Sequence, residues 1–559
     1  MSGAVAYWHQ TYSLFNLGIG LSALIAGLPI FILLFLLGVM KKQAWFAGVC
    51  GLGAALLLAI LGYGMPVKAA ISAAAYGGAF GLFPICWIIF WAIALFRVTV
   101  ETGKFEIIRD SIGHVTSDTR MQALLVAFCF GAFLEGAAGF GTPVAVAAAM
   151  LTGLGFRAFD AAPICLLANT VPVAFGALGT PVFTIAGTTG LPLDKLSWAI
   201  ALLCSPAALI LPVYLLIAVG GFAAMSGVWV PALTAGFAFA AIQLIVSSWI
   251  GPQLSSILAA LASIAALIVV LKLRPSNIAA SDNPGQIAFS RRCGICASDV
   301  DPAGLPHSKY SFGQILCAWM PYILLVVCVL LWGFGPVERI LNRGSITFQW
   351  PWLHDVALRM PPITSAPAPY HALFSFNFLP AAGTACMAAT FLAAIFLKVS
   401  PLRFMGLLAA VLQQLALPIA TVVVVLGIGF LMNYCGATAT LGLAFASTKS
   451  LFPFFSPFLG LLGVFLTGSD TSSNALFGSL QLITALRLGL DPVLMAAANA
   501  AGGVMGKMIS VQTIAVAAAA TRLSVADQAS LFRFTLKHSI LLGLFLGGLV
   551  VFYSYGLRI

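Results

Sequence analysis

The stretch FLTGSDTSSNALFGSL, residues 465–480, decides the fold. It lies inside a long apolar region, yet positions 467–474 hold an aspartate, an asparagine and five hydroxyl residues. The flanking segments LFPFFSPFLGLLGVFL and NALFGSLQLITAL are too apolar for a loop in water. Polar backbone at membrane depth is tolerated only where it is buried in protein or lines a cavity. The stretch therefore predicts the tip of a hairpin within an apolar layer.

The composition of the 559 residues indicates a membrane protein. Apolar residues make up 61% of the chain and charged residues only 7%, whereas soluble domains have about 25% charged residues. The net charge of +11 comes from Lys and Arg placed singly or in pairs at the ends of apolar runs. This placement is typical of topology signals and does not indicate a nucleic-acid-binding face.

Apolar runs of roughly 20 residues recur along the chain, and each is long enough to cross a hydrocarbon layer about 30 Å thick as a helix. We predict an all-α polytopic membrane protein with about 12 transmembrane helices and two re-entrant hairpins, at 121–156 and 451–487. The first run begins near Leu14 and is too long for a cleavable signal. The predicted spans are 14–40, 44–62, 71–96, 161–190, 196–218, 229–250, 252–271, 312–334, 374–397, 405–432, 492–521 and 539–557.

The distribution of Lys and Arg predicts the orientation, because cytoplasmic loops carry an excess of both. If Lys41 and Lys42 are cytoplasmic, most other basic residues are cytoplasmic too, and both termini are extracytoplasmic. This requires one hairpin to enter from the cytoplasm and the other from outside. We expect a first half, 1–272, with the cytoplasm-entering hairpin, a cytoplasmic loop, 273–311, and a second half, 312–559, with the outside-entering hairpin.

The two halves resemble each other weakly. FLEG at 133–136 parallels FLTG at 465–468, and Asn169 in LLANTVPVAFGALGTP parallels Asn499 in AAANAAGGVMGKMIS. In each half a hairpin precedes a span that glycine or proline interrupts. Interrupted segments at corresponding places in two halves are the best sequence indication of a transporter's binding site. We therefore expect an inverted repeat with interrupted helices after each hairpin.

The interrupted helices predict an anion site. Helices that begin within the membrane present unpaired N–H groups and about half a positive charge each, which favours a carboxylate. A charge at depth costs about 2.5–3.5 kcal/mol, so each ionisable residue there is a functional candidate. A structural ion pair between Lys507 and Asp470 is the alternative. The candidates for substrate binding are Gly139, Gly141, Thr142, Asn169, Thr471, Ser472, Ser473, Asn474, Asn499, Lys507 and Gln512, and those for proton coupling are Glu135 and Asp470.

The sequence predicts no cofactor and no metal. Cys293 and Cys296 have C-x-x-C spacing, but the second pair that a zinc site needs is not nearby. The run GAAGFGTP at 136–143 lacks the Lys-Ser/Thr of a phosphate-binding loop. A membrane-embedded enzyme is disfavoured, since no paired acidic metal motif or nucleophile arrangement is found near an interface.

The motifs FLEGAAGFGTPVA (133–145), LANTVPVAFGALGTP (167–181) and GGVMGKMISVQTIAVA (502–517) resemble those of the L-lactate permease family of bacterial inner-membrane transporters. The resemblance runs essentially from residue 13 to the C-terminus. It implies uptake of L-lactate, glycolate and other short 2-hydroxymonocarboxylates together with a proton. It also implies kinship with an ion transporter superfamily built from inverted repeats, some members of which shift a transport domain like an elevator.

In this interpretation the hairpin tips and Lys507 bind the carboxylate, and Asn169, Asn499 and Gln512 are candidates for the 2-hydroxyl. A proton carried with each anion removes an electrical cost of about 2.3 kcal/mol per 100 mV. The sequence leaves open which of the two tip acids carries the proton. It also leaves open a sodium-coupled carboxylate transporter of the same architecture, and a channel. The oligomeric state is not predicted.

Overall fold

The computed structural model describes residues 7–15, 17–113, 115–139, 141–273, 284–293 and 310–557. Within these ranges helices dominate, because a segment in hydrocarbon must pair its own backbone N–H and C=O groups. The described residues include 12 helices long and apolar enough to cross a membrane, or up to 13 if a bent pair counts as one span. The prediction of an all-α polytopic membrane protein is confirmed.

The helices before the central loop are α1 (Ile19–Ala26), α2 (Leu28–Gly38), α3 (Ala44–Leu57), α4 (Val67–Phe80), α5 (Trp87–Glu101), α6 (Lys104–Gly113), α7 (Thr119–Ala123), α8 (Gly131–Ala137), α9 (Thr142–Gly153), α10 (Ala158–Ala168), α11 (Gly176–Thr189), α12 (Leu193–Gly220), α13 (Trp229–Trp249) and α14 (Ser255–Leu273). Short π-helical or 3-10 stretches continue several of them, at Leu58–Gly62, Gly81–Cys86, Leu124–Phe130, Val171–Phe175 and Phe222–Met225.

The remaining helices are α15 (Pro284–Arg292), α16 (Phe312–Gly333), α17 (Gly335–Leu341), α18 (Ala382–Phe396), α19 (Pro401–Cys435), α20 (Ala437–Phe445), α21 (Phe452–Thr467), α22 (Asp470–Leu488), α23 (Pro492–Lys507), α24 (Val511–Thr521) and α25 (Val525–Val551). Further 3-10 or π-helical stretches are Asn342–Gly344, Ala446–Leu451 and Phe552–Leu557. The strands are β1 (Trp8–His9), β2 (Ile346–Gln349), β3 (Ala357–Arg359), β4 (Ala368–Pro369) and β5 (Leu373–Phe376).

The number of spans agrees with the sequence prediction, but the members differ. The helices Thr119–Ala137 and Ala437–Thr467, which include the first arms of the two hairpins, are themselves long enough to span. The predicted first span is a pair of helices bent by 47°, where Gly27 precedes the Leu28-Pro29 start of α2. The predicted span 374–397 is shortened to α18, because its first residues form strand β5.

Each half contains a helical hairpin followed by a broken helix. In the first half α8 packs on α9, and α10 and α11 follow with a break between them. In the second half α21 packs on α22, and α23 and α24 follow in the same way. The interrupted helices after each hairpin are confirmed. That the hairpins re-enter the membrane from opposite sides stays a prediction.

The two hairpins pack against each other's broken spans. Helix α9 of the first hairpin packs on α24 of the second broken span, and α22 of the second hairpin packs on α11 of the first. The long helix α19 lies beside this assembly and contacts α3, α4, α5 and α22. This reciprocal contact brings the turns of both hairpins and the breaks of both broken spans into one region.

The predicted loop 273–311 contains α15, which packs on α7 and α12. Cys293 follows this helix and is buried, and burial raises the pKa of its thiol to about 12. Cys296 lies outside the described residues. The division of the chain into halves at this loop stays a prediction.

Candidate functional site

The quoted stretch forms the turn between α21 and α22. Gly468 ends α21 with a φ of +72°, a left-handed conformation that a residue with a side chain rarely adopts. Ser469 then caps the next helix, and its hydroxyl oxygen accepts a hydrogen bond from the Ser472 backbone N–H at 3.2 Å. Helix α22 therefore begins at Asp470, in the interior of the protein.

The first hairpin turns in a different way. Helix α8 ends at Ala137, and Gly139 and Gly141 have φ values of +62° and +80°. Gly141 is the N-cap of α9, and Pro143 lies in the first turn, where its missing N–H removes no helical hydrogen bond. The first tip therefore consists mainly of backbone groups of glycines, whereas the second tip carries side-chain hydroxyl groups.

The two broken spans supply two more helix starts. Within α11, three consecutive residues have left-handed dihedral angles, and the regular helix begins at Thr180. Helix α24 begins after Ser510, whose hydroxyl oxygen accepts from the Thr513 N–H at 3.2 Å. Together with α9 and α22, four helices begin in this region. Each N-terminus carries a partial positive charge, so the positive potential is concentrated there.

These helix starts surround a cavity of about 400 Å³. Its exposed lining residues include Lys41, Lys42 and Gln43, so the cavity reaches solvent between α2 and α3. The buried or half-buried polar residues that line it are Glu135, Thr180, Thr421, Thr467, Ser469, Asp470, Thr471, Ser472, Lys507 and Thr513, and Gln512 is a further exposed lining residue.

Lys507 is the buried lysine of the cavity lining, whereas Lys41 and Lys42 are exposed at its mouth. Lys507 Nζ donates a hydrogen bond to the Gly468 carbonyl oxygen at 2.8 Å, which ties the end of α23 to the second hairpin tip. It interacts electrostatically with both Glu135 and Asp470. In the part of the chain that the structure describes, no ion pair within 4.0 Å includes Lys507. Among the described residues Lys507 and Asp470 therefore make no direct ion pair, and whether their charges are structural or functional stays a prediction.

The two acids have different surroundings. Glu135 accepts a hydrogen bond at its Oε2 from the Asn169 side-chain amide at 3.1 Å. Asp470 is equally buried, yet among the described residues neither of its oxygens has a hydrogen-bond partner. A buried carboxylate without donors is costly, so Asp470 is the acid whose charge this site compensates least.

The structure brings most of the predicted site residues to the cavity wall. Those that line it are Gly139, Gly141, Glu135, Asp470, Thr471, Ser472, Lys507 and Gln512. The predicted residues that lie outside its lining are Thr142, Asn169, Ser473, Asn474 and Asn499. Asn169 remains connected to the site through its hydrogen bond to Glu135.

Three of the residues outside the lining belong to a buried polar network between helices. The Gln481 amide donates to Asn499 Oδ1 at 3.2 Å, and the Asn499 amide donates to Asn474 Oδ1 at 2.9 Å. The Asn474 amide in turn donates to the Pro181 carbonyl oxygen at 3.1 Å. Ser473 donates to a backbone carbonyl of α21 at 3.1 Å. These contacts join α11, α21, α22 and α23.

The sequence analysis missed several lining residues. Thr180 follows Gly179 and precedes Pro181, so it repeats the Gly-Thr-Pro triplet that opens α9 at Gly141. That repeat is a sequence signal for two helix starts of the same kind. For the residues that α19 contributes, such as Thr421, the sequence has no comparable signal, because this helix is continuous and apolar.

Broken helices that begin around a cavity lined with ionisable groups are typical of membrane transporters. The sequence matches the family described as L-lactate permease over residues 22–555. The chain therefore belongs to the L-lactate permease family, whose members are permeases and not enzymes.

Curated relatives match along nearly the whole chain. It is 43% identical to the glycolate permease GlcA of Escherichia coli K12 over 98% of both chains. It is 41% identical to the L-lactate permease of the same strain, again over 98% of both chains. Among solved structures, the YdaH transporter of Alcanivorax borkumensis has a TM-score of 0.41 and 15% identity, with 83% of this chain and 84% of that chain covered. We infer nothing from so distant a likeness.

Proposed function

We propose that this protein imports L-lactate, glycolate and related short 2-hydroxymonocarboxylates together with a proton across the bacterial inner membrane. The observation that carries the proposal is the cavity in which Lys507, two buried acids and several helix starts meet. The names of the relatives, a glycolate permease and an L-lactate permease, support this substrate class.

Lys507 is the proposed ligand of the substrate carboxylate. Its ammonium group has more donors than the bond to Gly468 uses. Charge-assisted hydrogen bonds from an ammonium group to a carboxylate are stronger than neutral ones. The nearby N-terminal ends of α22 and α24 add donors and positive potential. Gln512, Thr471 and Ser472 line the same wall and are the proposed partners of the 2-hydroxyl.

Asp470 is the proposed proton carrier, with Glu135 as a supporting acid. A deprotonated Asp470 leaves two buried oxygens without donors among the described residues, and proton binding removes that charge. The substrate anion next to Lys507 also makes a second negative charge in the cavity less favourable, because like charges in a site of low dielectric repel. Anion and proton therefore enter the membrane together at lower cost than either alone.

The proposed orientation follows from the charges at the cavity mouth. Lys41 and Lys42 line the opening, and the bias of basic residues assigns them to the cytoplasm. The cavity then faces the cytoplasm in this conformation, with both chain termini extracytoplasmic.

The test uses the purified full-length protein in liposomes. We expect an inward-directed proton gradient to drive accumulation of labelled L-lactate or glycolate in sodium-free buffer. Counterflow without a gradient, measured with L-lactate, D-lactate and glycolate, ranks the substrates. Accumulation that needs sodium and ignores the pH gradient would overturn proton coupling. Absence of saturable counterflow with all three acids would overturn the substrate class.

A further inference from the structure

Three metal-ligating side chains meet away from the cavity, in the excursion between α17 and α18. His354 and Asp355 lie in the turn between β2 and β3, and His371 lies between β4 and β5. One potential ligand atom from each lies within 4.8 Å of the other two. None of them lines the cavity. The proposed transport function therefore does not account for this cluster.

We propose that His354, Asp355 and His371 form a binding site for a divalent transition metal, with zinc as the ion that their donor atoms fit. Imidazole nitrogen and carboxylate oxygen are the usual ligands of zinc, with three protein ligands leaving a fourth position for water. Oxygen-only ligands, which calcium and magnesium prefer, are not what this cluster offers.

The carboxylate of Asp355 lies between the two rings. Its Oδ2 is 3.2 Å from His354 Nε2, and its Oδ1 is 2.6 Å from His371 Nδ1. Tetrahedral ligands about 2.0 Å from a zinc ion are separated by about 3.3 Å. The two observed separations lie close to this value, and side-chain rotation brings the three donors, now within 4.8 Å of one another, to a common ion.

Backbone contacts orient the His354 ring. Its Nδ1 lies 3.2 Å from the Ala372 carbonyl oxygen. A metal-bound histidine commonly donates its other ring N–H to a carbonyl or carboxylate, which fixes the tautomer. The Ala372 backbone N–H also donates to this Nδ1 at 3.1 Å, so without an ion Nε2 carries the ring proton and faces Asp355. Zinc binding at Nε2 therefore requires the other tautomer, in which Nδ1 donates to the Ala372 carbonyl oxygen.

Exposure allows an ion to enter. The side chain of His354 is mostly covered, at 15% exposed, whereas that of His371 is 64% exposed. A bound ion would join the turn before β3 to the segment before β5. Next to that segment, the Tyr434 hydroxyl of α19 donates to the His371 carbonyl oxygen at 2.8 Å. The metal would therefore stiffen the contact between the excursion and the end of α19.

The test is zinc binding to the full-length protein in detergent, after chelator treatment and without a histidine tag. We expect one saturable site by isothermal titration and a rise in the unfolding temperature on adding zinc chloride. The H354A/H371A variant should bind zinc at least about 10-fold more weakly and lose the temperature rise. Cobalt substitution should give visible absorption bands in the wild-type protein only.

His9→Ala is the matched control, since His9 is exposed on strand β1 and contacts Met360 instead of this cluster. It should bind zinc like the wild type. Equal zinc affinity in the wild type and H354A/H371A, or no saturable binding, would overturn the proposal and leave a hydrogen-bonded trio only. Because counterflow of lactate is measured separately, failure of the metal site and failure of the transport proposal are distinguishable.

Discussion

The two hairpin tips have the same architecture but different chemistry. In both, a helix ends near a left-handed glycine and a new helix begins at the cavity. Glu135 lies on the helix before the first break and has an amide partner, Asn169. Asp470 is the first residue of the helix after the second break and, among the described residues, has none.

The two broken spans also differ in the side chains that they place at the cavity. Gly176 and Ala177 in the first span correspond to Gly506 and Lys507 in the second. Ala177 presents a methyl group with a left-handed backbone, whereas Lys507 presents an ammonium group to the cavity. The comparison teaches that two similar backbone breaks carry different side chains. Of the two broken spans only the second has a lysine at this position, and the second hairpin carries the acid that has no partner among the described residues.

The largest expected effect comes from Asp470→Asn. This change removes the unpartnered acid and keeps the shape, so accumulation driven by a pH gradient should fall to background while counterflow persists. Both are measured in liposomes. Asp491→Asn is the matched control, because Asp491 only caps α23 and Asn caps equally well. Undiminished accumulation in Asp470→Asn, and also in Glu135→Gln, would show that neither acid carries the proton.

Lys507→Gln should have the next largest effect. Hydrogen bonds to charged groups contribute about 1.5–3 kcal/mol, so the half-saturating substrate concentration in counterflow should rise about 10- to 100-fold. Lys537→Gln, a change on α25 at a residue that does not line the cavity, should leave it unchanged. Wild-type affinity in Lys507→Gln would contradict the asymmetry between the two broken spans.

Glycine substitutions sharpen the comparison of the two acids. A Cβ at Gly503 would contact Asp470 Oδ1, and a Cβ at Gly176 would lie 2.7 Å from Glu135 Oε1. Overpacking typically costs about 1–3 kcal/mol, and we expect Gly503→Ala to reduce proton-driven accumulation more than Gly176→Ala. Gly153→Ala, where nothing lies within 4 Å, is the control. The reverse order of effects would make Glu135 the more important acid.

The smallest effects are expected at the two corresponding asparagines. Asn169→Ala removes one hydrogen bond to Glu135, worth about 1 kcal/mol, so the pH dependence of uptake should shift slightly. Asn499→Ala breaks the buried network and should lower the unfolding temperature instead. A large loss of substrate affinity in Asn499→Ala without loss of stability would identify it as a ligand after all.

Part of the site was predictable, because polar and ionisable residues within an apolar segment are costly and therefore indicate a function. The acids, Lys507 and the hydroxyl stretch were found that way. The direction of each side chain was not predictable, because consecutive helical residues point about 100° apart. Thr471 and Ser472 consequently line the cavity, whereas the adjacent Ser473 and Asn474 are directed into helix contacts.

The sequence by itself determined the class of protein, the helical fold, the places where helices break and the ionisable groups near those breaks, since these follow from composition and local backbone chemistry. Only the tertiary structure decided which breaks meet, that Lys507 bonds to Gly468 and not to an acid, and that Asp470 lies without a donor among the described residues. These facts depend on packing between segments far apart in the chain, such as α9 on α24 and α11 on α22. Local sequence carries no information about such contacts, because many helix pairs have equally apolar faces.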